Sequence, residues 1–144
     1  MICIKCLSIL CELDVDGRVT NSELANRVGL SASACLRRVQ DLESRGVIVG
    51  YKAQFDKEKL GISFIAYVMV GLSEHTKQSQ TGFEEAIKEA SEVIECHNVT
   101  GSFEYLLRVE TTDLKAYKLF HTDVLGTLPQ VATIATHVVM ESPK

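Results

Sequence analysis

Three arginines, Arg37, Arg38 and Arg45, stand in the stretch GLSASACLRRVQDLESRGVI at positions 29–48, among residues that must also bury something. A guanidinium reads a guanine edge bidentately in the major groove of DNA, or grips a phosphate with a planar fork of donors. Cys35, Val39 and Leu42 recur at i, i+4 and i+7, one face of a helix, and Leu36 widens that stripe. Ser33, Ala34, Arg37, Arg38 and Asp41 fall on the other side. Small or hydroxylated residues lead (Ser31, Ala32, Ser33, Ala34) and arginines follow, which is what insertion of a helix into a major groove requires. Ser31, Ser33, Ala34, Arg37 and Arg38 are therefore the expected groove residues, with Arg45 and Lys52 as phosphate contacts. The competing reading is a helical hairpin whose outer arginines only face water. It does not account for the coincidence of a short glycine-containing turn with an arginine face.

Other residue types that do chemistry are sparse. Cys3 and Cys6 form a C-x-x-C, and Cys96 adjoins His97, but no second cysteine pair or histidine pair completes a zinc site. Cys11 and Cys35 lie on apolar helix stripes, where cysteine acts as a small hydrophobe. His97, His121 and His137 are scattered over different elements. No carboxylate pair, nucleophile elbow or phosphate loop appears, so no enzyme, metal or cofactor is expected.

The arginine helix needs two partners. LSILCELDVDGR (7–18) reads as a first helix with Leu7, Leu10, Cys11 and Leu13 on one face, stopped at Asp16-Gly17. Thr20 or Asn21 caps a second helix with Leu24, Ala25 and Val28 buried, Gly29 ends it, and Ser31 caps the third. Two helices joined by a short turn containing glycine are a helix-turn-helix. GVIVGYKAQFD (46–56) is then rich in β-formers and reads as two short strands, a wing. Residues 1–55 make this winged helix-turn-helix, and the charged DKEKLGI (56–62) makes a linker.

Residues 63–144 read β-α-β-β-α-β, the ferredoxin-like order, so the fold class is α+β. A strand over 63–72 is followed by a polar loop (73–82). Next comes a helix with Phe83, Ala86, Ile87 and Ala90 on one face. Strands VIECHNV and YLLRVET flank TGSFE. Asp113 caps a helix with the stripe Leu114, Tyr117, Phe120, Val124 and Leu128, and VATIATHVVM closes the sheet. In the first strand Phe64, Ala66, Val68, Val70 and Leu72 share one face, and Ile65, Tyr67 and Met69 share the other. Both faces are apolar, yet this topology puts both helices on one of them. The other needs a cover, most simply a second copy of the chain, so a dimer is expected.

The chain has 144 residues, is 46% hydrophobic and 24% charged, and carries a net charge of −4. Residues 1–55 hold seven Lys/Arg against six Asp/Glu, and residues 56–144 eight against thirteen. A near-neutral part with clustered arginines is thus joined to an acidic part, which suggests two jobs. The longest apolar run, ISFIAYVMVGL, is too short to cross a membrane, and a cytoplasmic location is expected.

The stretches DGRVTNSELANRVGLSASACLRRVQDLESRGVIVGY, ECHNVTGSFEYLLRVETTDLKAY and THVVME resemble the Lrp/AsnC family of bacterial and archaeal regulators over nearly the whole chain. The resemblance implies double-stranded DNA as partner, dimers assembling into octamers or other rings, and a small effector, commonly an amino acid, bound between dimers. Two departures stand out. Cys3 and Cys6 occupy the place of the family's acidic opening segment. The family's G-D-x-D-Y loop reads Gly101-Ser102-Phe103-Glu104-Tyr105, with a serine for the first acid.

Taken alone, Gly101 between two strands reads as a hairpin turn. The resemblance makes that loop and the last strand the wall of the effector pocket. Backbone N–H groups of Gly101 and Ser102 would then hold a carboxylate and Glu104 an ammonium, with Tyr105 beside them. Thr133, Thr136 and His137 would offer further polar contacts, although Thr136 and His137 point to opposite faces of a strand. The expected function is an amino-acid-responsive DNA-binding transcriptional regulator. The alternative is an amino-acid sensor or allosteric subunit that does not act on DNA; it leaves Arg37 and Arg38 without a use. A thiol or zinc regulator rests on Cys3 and Cys6 alone.

Overall fold

The computed structural model describes residues 1–144, which divide into two compact units at Gln54/Phe55. The first unit contains α1 (Ile4–Val15), α2 (Asn21–Val28) and α3 (Ala32–Ser44). Their termini follow the side-chain chemistry. Thr20 Oγ1 accepts from the Glu23 N–H at 3.2 Å and Ser31 Oγ from the Ala34 N–H at 3.2 Å, each satisfying a donor that the helix leaves free. Gly29 adopts a left-handed conformation at φ 65° and its N–H returns to Ala25 and Asn26, which turns the chain sharply enough for α3 to begin at once. Ile9, Leu24, Ala25, Cys35 and Leu42 form the core of this unit, each 2% exposed or less.

Three expectations for this unit are corrected. The inward line of α1 is Cys6, Ile9, Leu10 and Leu13, whereas Leu7 is 50% exposed and Cys11 faces solvent. Both sets obey the i, i+3, i+4 rule, and packing against α2 and α3 selects the line that includes Cys6 and Ile9. The wing carries no paired strand. The Val47 and Ile48 N–H groups instead bond to Leu42 O, and Tyr51 Oη donates to Glu43 at 2.8 Å. Segments of a few residues separated by Gly50 are too short for an isolated hairpin to gain what its ordering costs. Leu36 is also 46% exposed, so it flanks the buried stripe of α3 and does not widen it.

The second unit contains β1 (Phe64–Leu72), α4 (Lys77–Lys88), β2 (Val93–Asn98), β3 (Tyr105–Thr111), α5 (Leu114–Asp123) and β4 (Val131–Val138). The sheet order is β2-β3-β1-β4 with every neighbour antiparallel, the ferredoxin-like arrangement. Phe64, Ala66, Val68, Val70, Leu107 and Val109 pack with Phe83 and Ile87 of α4 and Tyr117 and Phe120 of α5 in one core. Both helices therefore lie on one face. The helix α4 starts at Lys77, six residues before Phe83, because Thr76 Oγ1 caps it through the Ser79 N–H at 3.1 Å. Leu114, placed on the buried stripe of α5 by spacing, is 65% exposed in its first turn, and Leu125 fills the core from a 3-10 turn beyond the helix.

The opposite face of the sheet carries Ile65, Tyr67 and Met69 of β1, aligned with Glu110, Arg108 and Leu106 of β3 and, for Tyr67 and Met69, with His137 and Ala135 of β4. No helix of this unit covers it. Glu110 is nevertheless buried, because Lys57 Nζ at 2.9 Å and Arg108 Nε at 3.2 Å close over its carboxylate. No helix of the chain is long and apolar enough to cross a membrane.

Candidate nucleic-acid interface and ligand site

The three-residue turn Gly29–Ser31 holds α3 against α2, and Asn21 Nδ2 donates to Ala32 O at 2.8 Å across it. Arg27 braces α2 by pairing with Glu23 at 3.1 Å and with Glu12 of α1 at 3.4 Å. The residues opposite buried Cys35 and Leu42 at 100° per residue are Ser33, Arg37, Gln40 and Ser44, all exposed. Arg37 has no side-chain hydrogen bond or ion pair, so its guanidinium is free for an external acceptor. Gln40 was missed in the sequence, although it follows Arg37 by one helical turn; its amide suits an adenine edge.

The other basic residues differ. Arg38 lies one position round the helix, next to Ala34, and turns away from the exposed face. Its Nη1 sits 3.2 Å from Cys3 Sγ and 3.7 Å from Cys6 Sγ. Arg45 is engaged with Asp41 at 3.1 Å, an exposed i,i+4 pair that opens at little cost. Lys52 is exposed and unpaired. Ser31 is used as the cap of α3, and Ser33 stands at the tip of the helix with its hydroxyl 3.4 Å from that of Ser31. The positive N-terminal end of α3 and its small side chains give the backbone close access to a phosphate or base.

In the second unit the loop between β2 and β3 carries Gly101 at φ 113°, a conformation that glycine adopts freely, and a Cβ there would meet nothing within 4 Å. Glu104 reaches back over the sheet. Its Oε2 accepts the Leu72 N–H at 2.8 Å and its Oε1 lies 2.7 Å from His75 Nδ1. Gly71 lies opposite Thr133 in register, and a side chain at Gly71 would collide with Thr133 Oγ1 and approach Glu104 Oε2. Gly101, Ser102 and Glu104 thus lie along one loop, and Glu104 Oε2 and Thr133 Oγ1 both flank Gly71.

The remaining expected pocket residues are not brought to that point. Tyr105 is 1% exposed and faces the helices; its hydroxyl donates to Glu84 at 2.6 Å and its ring lies 4.6 Å from that of Phe83. Burial first, then Glu84, pushes the Tyr105 phenol far above its ordinary value. Thr136 pairs in register with buried Val68 and bonds to Tyr117 Oη, also on the helix side. His137 pairs with Tyr67 on the open face. Strand alternation fixes this division, so one pocket within this unit cannot use Thr136 and His137 together. No group of three or more His, Cys, Asp or Glu side chains is arranged to hold a metal ion.

Comparison with known proteins agrees with this division of the chain. A winged helix-turn-helix DNA-binding model matches residues 7–49, and the Lrp/AsnC ligand binding domain matches residues 65–144. The chain is 38% identical over 138 residues to the proline dehydrogenase transcriptional activator of Rhizobium radiobacter, covering 96% of this chain and 88% of that one. It is 40% identical over 137 residues to the leucine-responsive regulatory protein of Escherichia coli K12, covering 95% and 84%. A transcriptional regulator from Neisseria meningitidis solved in complex with L-Met superposes with a TM-score of 0.95 at 31% identity, covering 100% of this chain and 93% of that one. With a free arginine and glutamine on a helix-turn-helix in one unit and a ligand-binding domain fold in the other, the chain belongs to the Lrp/AsnC family of DNA-binding transcriptional regulators.

Proposed function

We propose that this regulator reads DNA through Ser33, Arg37 and Gln40 of α3, and that an amino acid bound by its C-terminal unit sets its affinity. The observation that carries the first half is the free, exposed guanidinium of Arg37 on the face opposite the buried stripe. Lys52 and Arg45 serve as phosphate contacts, Arg45 after leaving Asp41. Two such helices, related by a dimer axis, would read paired half-sites.

The second half rests on the Gly101–Glu104 loop. Exposed N–H groups at Gly101 and Ser102 suit a carboxylate. The Glu104 carboxylate offers about four lone-pair positions and spends one on Leu72, with His75 beside the other oxygen, so it retains capacity for an ammonium. The relative solved with L-Met supports an amino acid as the effector class. The pocket is completed by a neighbouring copy, since the loop is open on its outer side. The open sheet face supports a dimer as the building block, with an octamer or other ring as its assembly, and a cytoplasmic location fits a regulator of transcription. Isothermal calorimetry of the full chain against the twenty amino acids tests the reading. Binding of at least one, weakened by Glu104→Gln with ligand-free DNA affinity unchanged, is the expected result. No binding by the wild type would remove the effector assignment.

A further inference from the structure

Neither the DNA-binding face nor the ligand loop makes use of Cys3 and Cys6. Cys3 caps α1, its Sγ accepting the Cys6 N–H at 3.3 Å, and the two sulfurs lie 2.9 Å apart, close enough to share a proton. Cys3 is exposed and Cys6 is buried. Arg38, from the DNA-binding helix 35 residues away in sequence, lays its Nη1 on both sulfurs at 3.2 and 3.7 Å. An accessible thiol, a shielded partner one turn on, a helix N-terminus and a fixed cation are the surroundings that favour a thiolate. We propose that Cys3 and Cys6 are a peroxide-oxidised dithiol site, and that its state decides whether Arg38 is held against α1 or released to DNA.

The chemistry closes without a further reagent beyond the peroxide. The Cys3 thiolate attacks one peroxide oxygen, the O–O bond breaks, and the departing hydroxide takes a proton to become water, leaving Cys3 as a sulfenic acid. Cys6 then attacks that sulfur, the S–O bond breaks, and the hydroxide leaves as water with the Cys6 proton. Two thiols are oxidised and one peroxide is reduced to two waters. The sulfurs need only close from 2.9 Å to the bond length of about 2.05 Å within the first turn of α1. Hydrogen bonds from the Cys6 side chain and backbone, then the charge of Arg38, hold the Cys3 thiol below its ordinary value. Cys35 and Cys96 are poorer targets. Cys35 is fully buried, which pushes its thiol up. Burial and the nearby Glu84 carboxylate do the same to Cys96.

The consequence follows from charge. The thiolate-rich pair holds Arg38 through charge-assisted contacts, whereas a disulfide is neutral and a weak acceptor. Oxidation therefore frees a guanidinium on α3. This output rests on α3 being the DNA-binding helix, while the thiol chemistry does not.

The test uses the full-length chain, hydrogen peroxide at one equivalent, peptide mass mapping, and anisotropy on a duplex selected by the reduced protein. A Cys3–Cys6 disulfide reversible by dithiothreitol is expected, with duplex affinity rising roughly fivefold or more, the low end for one recovered arginine contact. Cys3→Ser at its exposed site abolishes both effects. Cys6→Ala removes the disulfide. Arg38→Ala keeps the disulfide and loses the affinity change. Oxidation of Cys11, Cys35 or Cys96 ahead of Cys3, or only intermolecular disulfides, would overturn the site. An equal affinity shift in wild type and Arg38→Ala would overturn the output. If neither redox state bound any duplex, the DNA reading would fall and the mapping would still decide the thiol pair.

Discussion

Arg37 and Arg38 are neighbours in sequence and differ by 100° around α3, and that angle separates their surroundings. Arg37 points out without a partner, so Arg37→Ala should cost about 1–3 kcal/mol of DNA affinity and relax specificity at one base position, as read by anisotropy on matched and mismatched duplexes. Lys52→Ala should instead weaken binding evenly across sequences and reduce the salt slope by about 0.9. The outward place of Arg37 was legible from spacing alone, whereas Arg38, expected beside it, turns back to α1. The sulfurs that hold Arg38 were not legible, because Cys3 and Cys6 lie more than thirty residues away and only the packing of α1 on α3 brings them there. Glu104 shows the same limit: its type and loop were readable, but its bond to Leu72 depends on strand register.

Glu110 is buried between Lys57 and Arg108. Burial alone raises its carboxyl, but Lys57 and Arg108 outweigh that and hold it below the ordinary value of 4.5. A depressed folded-state pKa contributes stability that is present above the ordinary value and lost as pH falls through the folded one. Urea midpoints should therefore drop below about pH 4.5. Glu110→Gln should lose ~1–3 kcal/mol at pH 7 and show a flatter acid limb, because two cations are left facing a neutral amide. An unchanged midpoint at pH 7 would remove the ion pair from the account.

Among the elements, the helix-turn-helix is fixed by caps that the sequence displays openly: Thr20, Gly29 and Ser31 all act where their types require. Thr20→Ala should cost ~1 kcal/mol in thermal or urea unfolding, through the unsatisfied Glu23 N–H. The β-α-β-β-α-β order was readable because strand alternation and helical stripes switch cleanly. The phase of α1 and the start of α4 were not, since two apolar lines satisfy one helical period and a threonine cap outweighs the polar composition of residues 77–82. The wing failed as a strand pair for a different reason: β-propensity is a statement about a partner surface, and Val47, Ile48 and Tyr51 are tied to the end of α3 through Leu42 O and Glu43 instead of to a second strand.

At the scale of the C-terminal unit, the sheet has one face under two helices and one that neither helix covers. The bare face mixes Ile65, Met69 and Leu106 with the Tyr67–Arg108 contact, where Nη1 donates to the phenol at 2.8 Å. The second copy proposed for that face would explain why both faces of β1 are apolar. Met69→Asp should convert the assembly to the 15.9 kDa chain in light scattering while circular dichroism stays unchanged. A wild-type protein that is monomeric at micromolar concentration would contradict this reading. The central claim, that α3 reads DNA sequence, has a more direct test: selection from a randomised duplex library by wild type and by an Arg37→Ala, Gln40→Ala double variant, both full-length and folded. Wild type should enrich a two-fold related motif, and the variant should retain weak, salt-sensitive binding without enriching it. Enrichment of the same motif at the same affinity by both proteins would contradict the account.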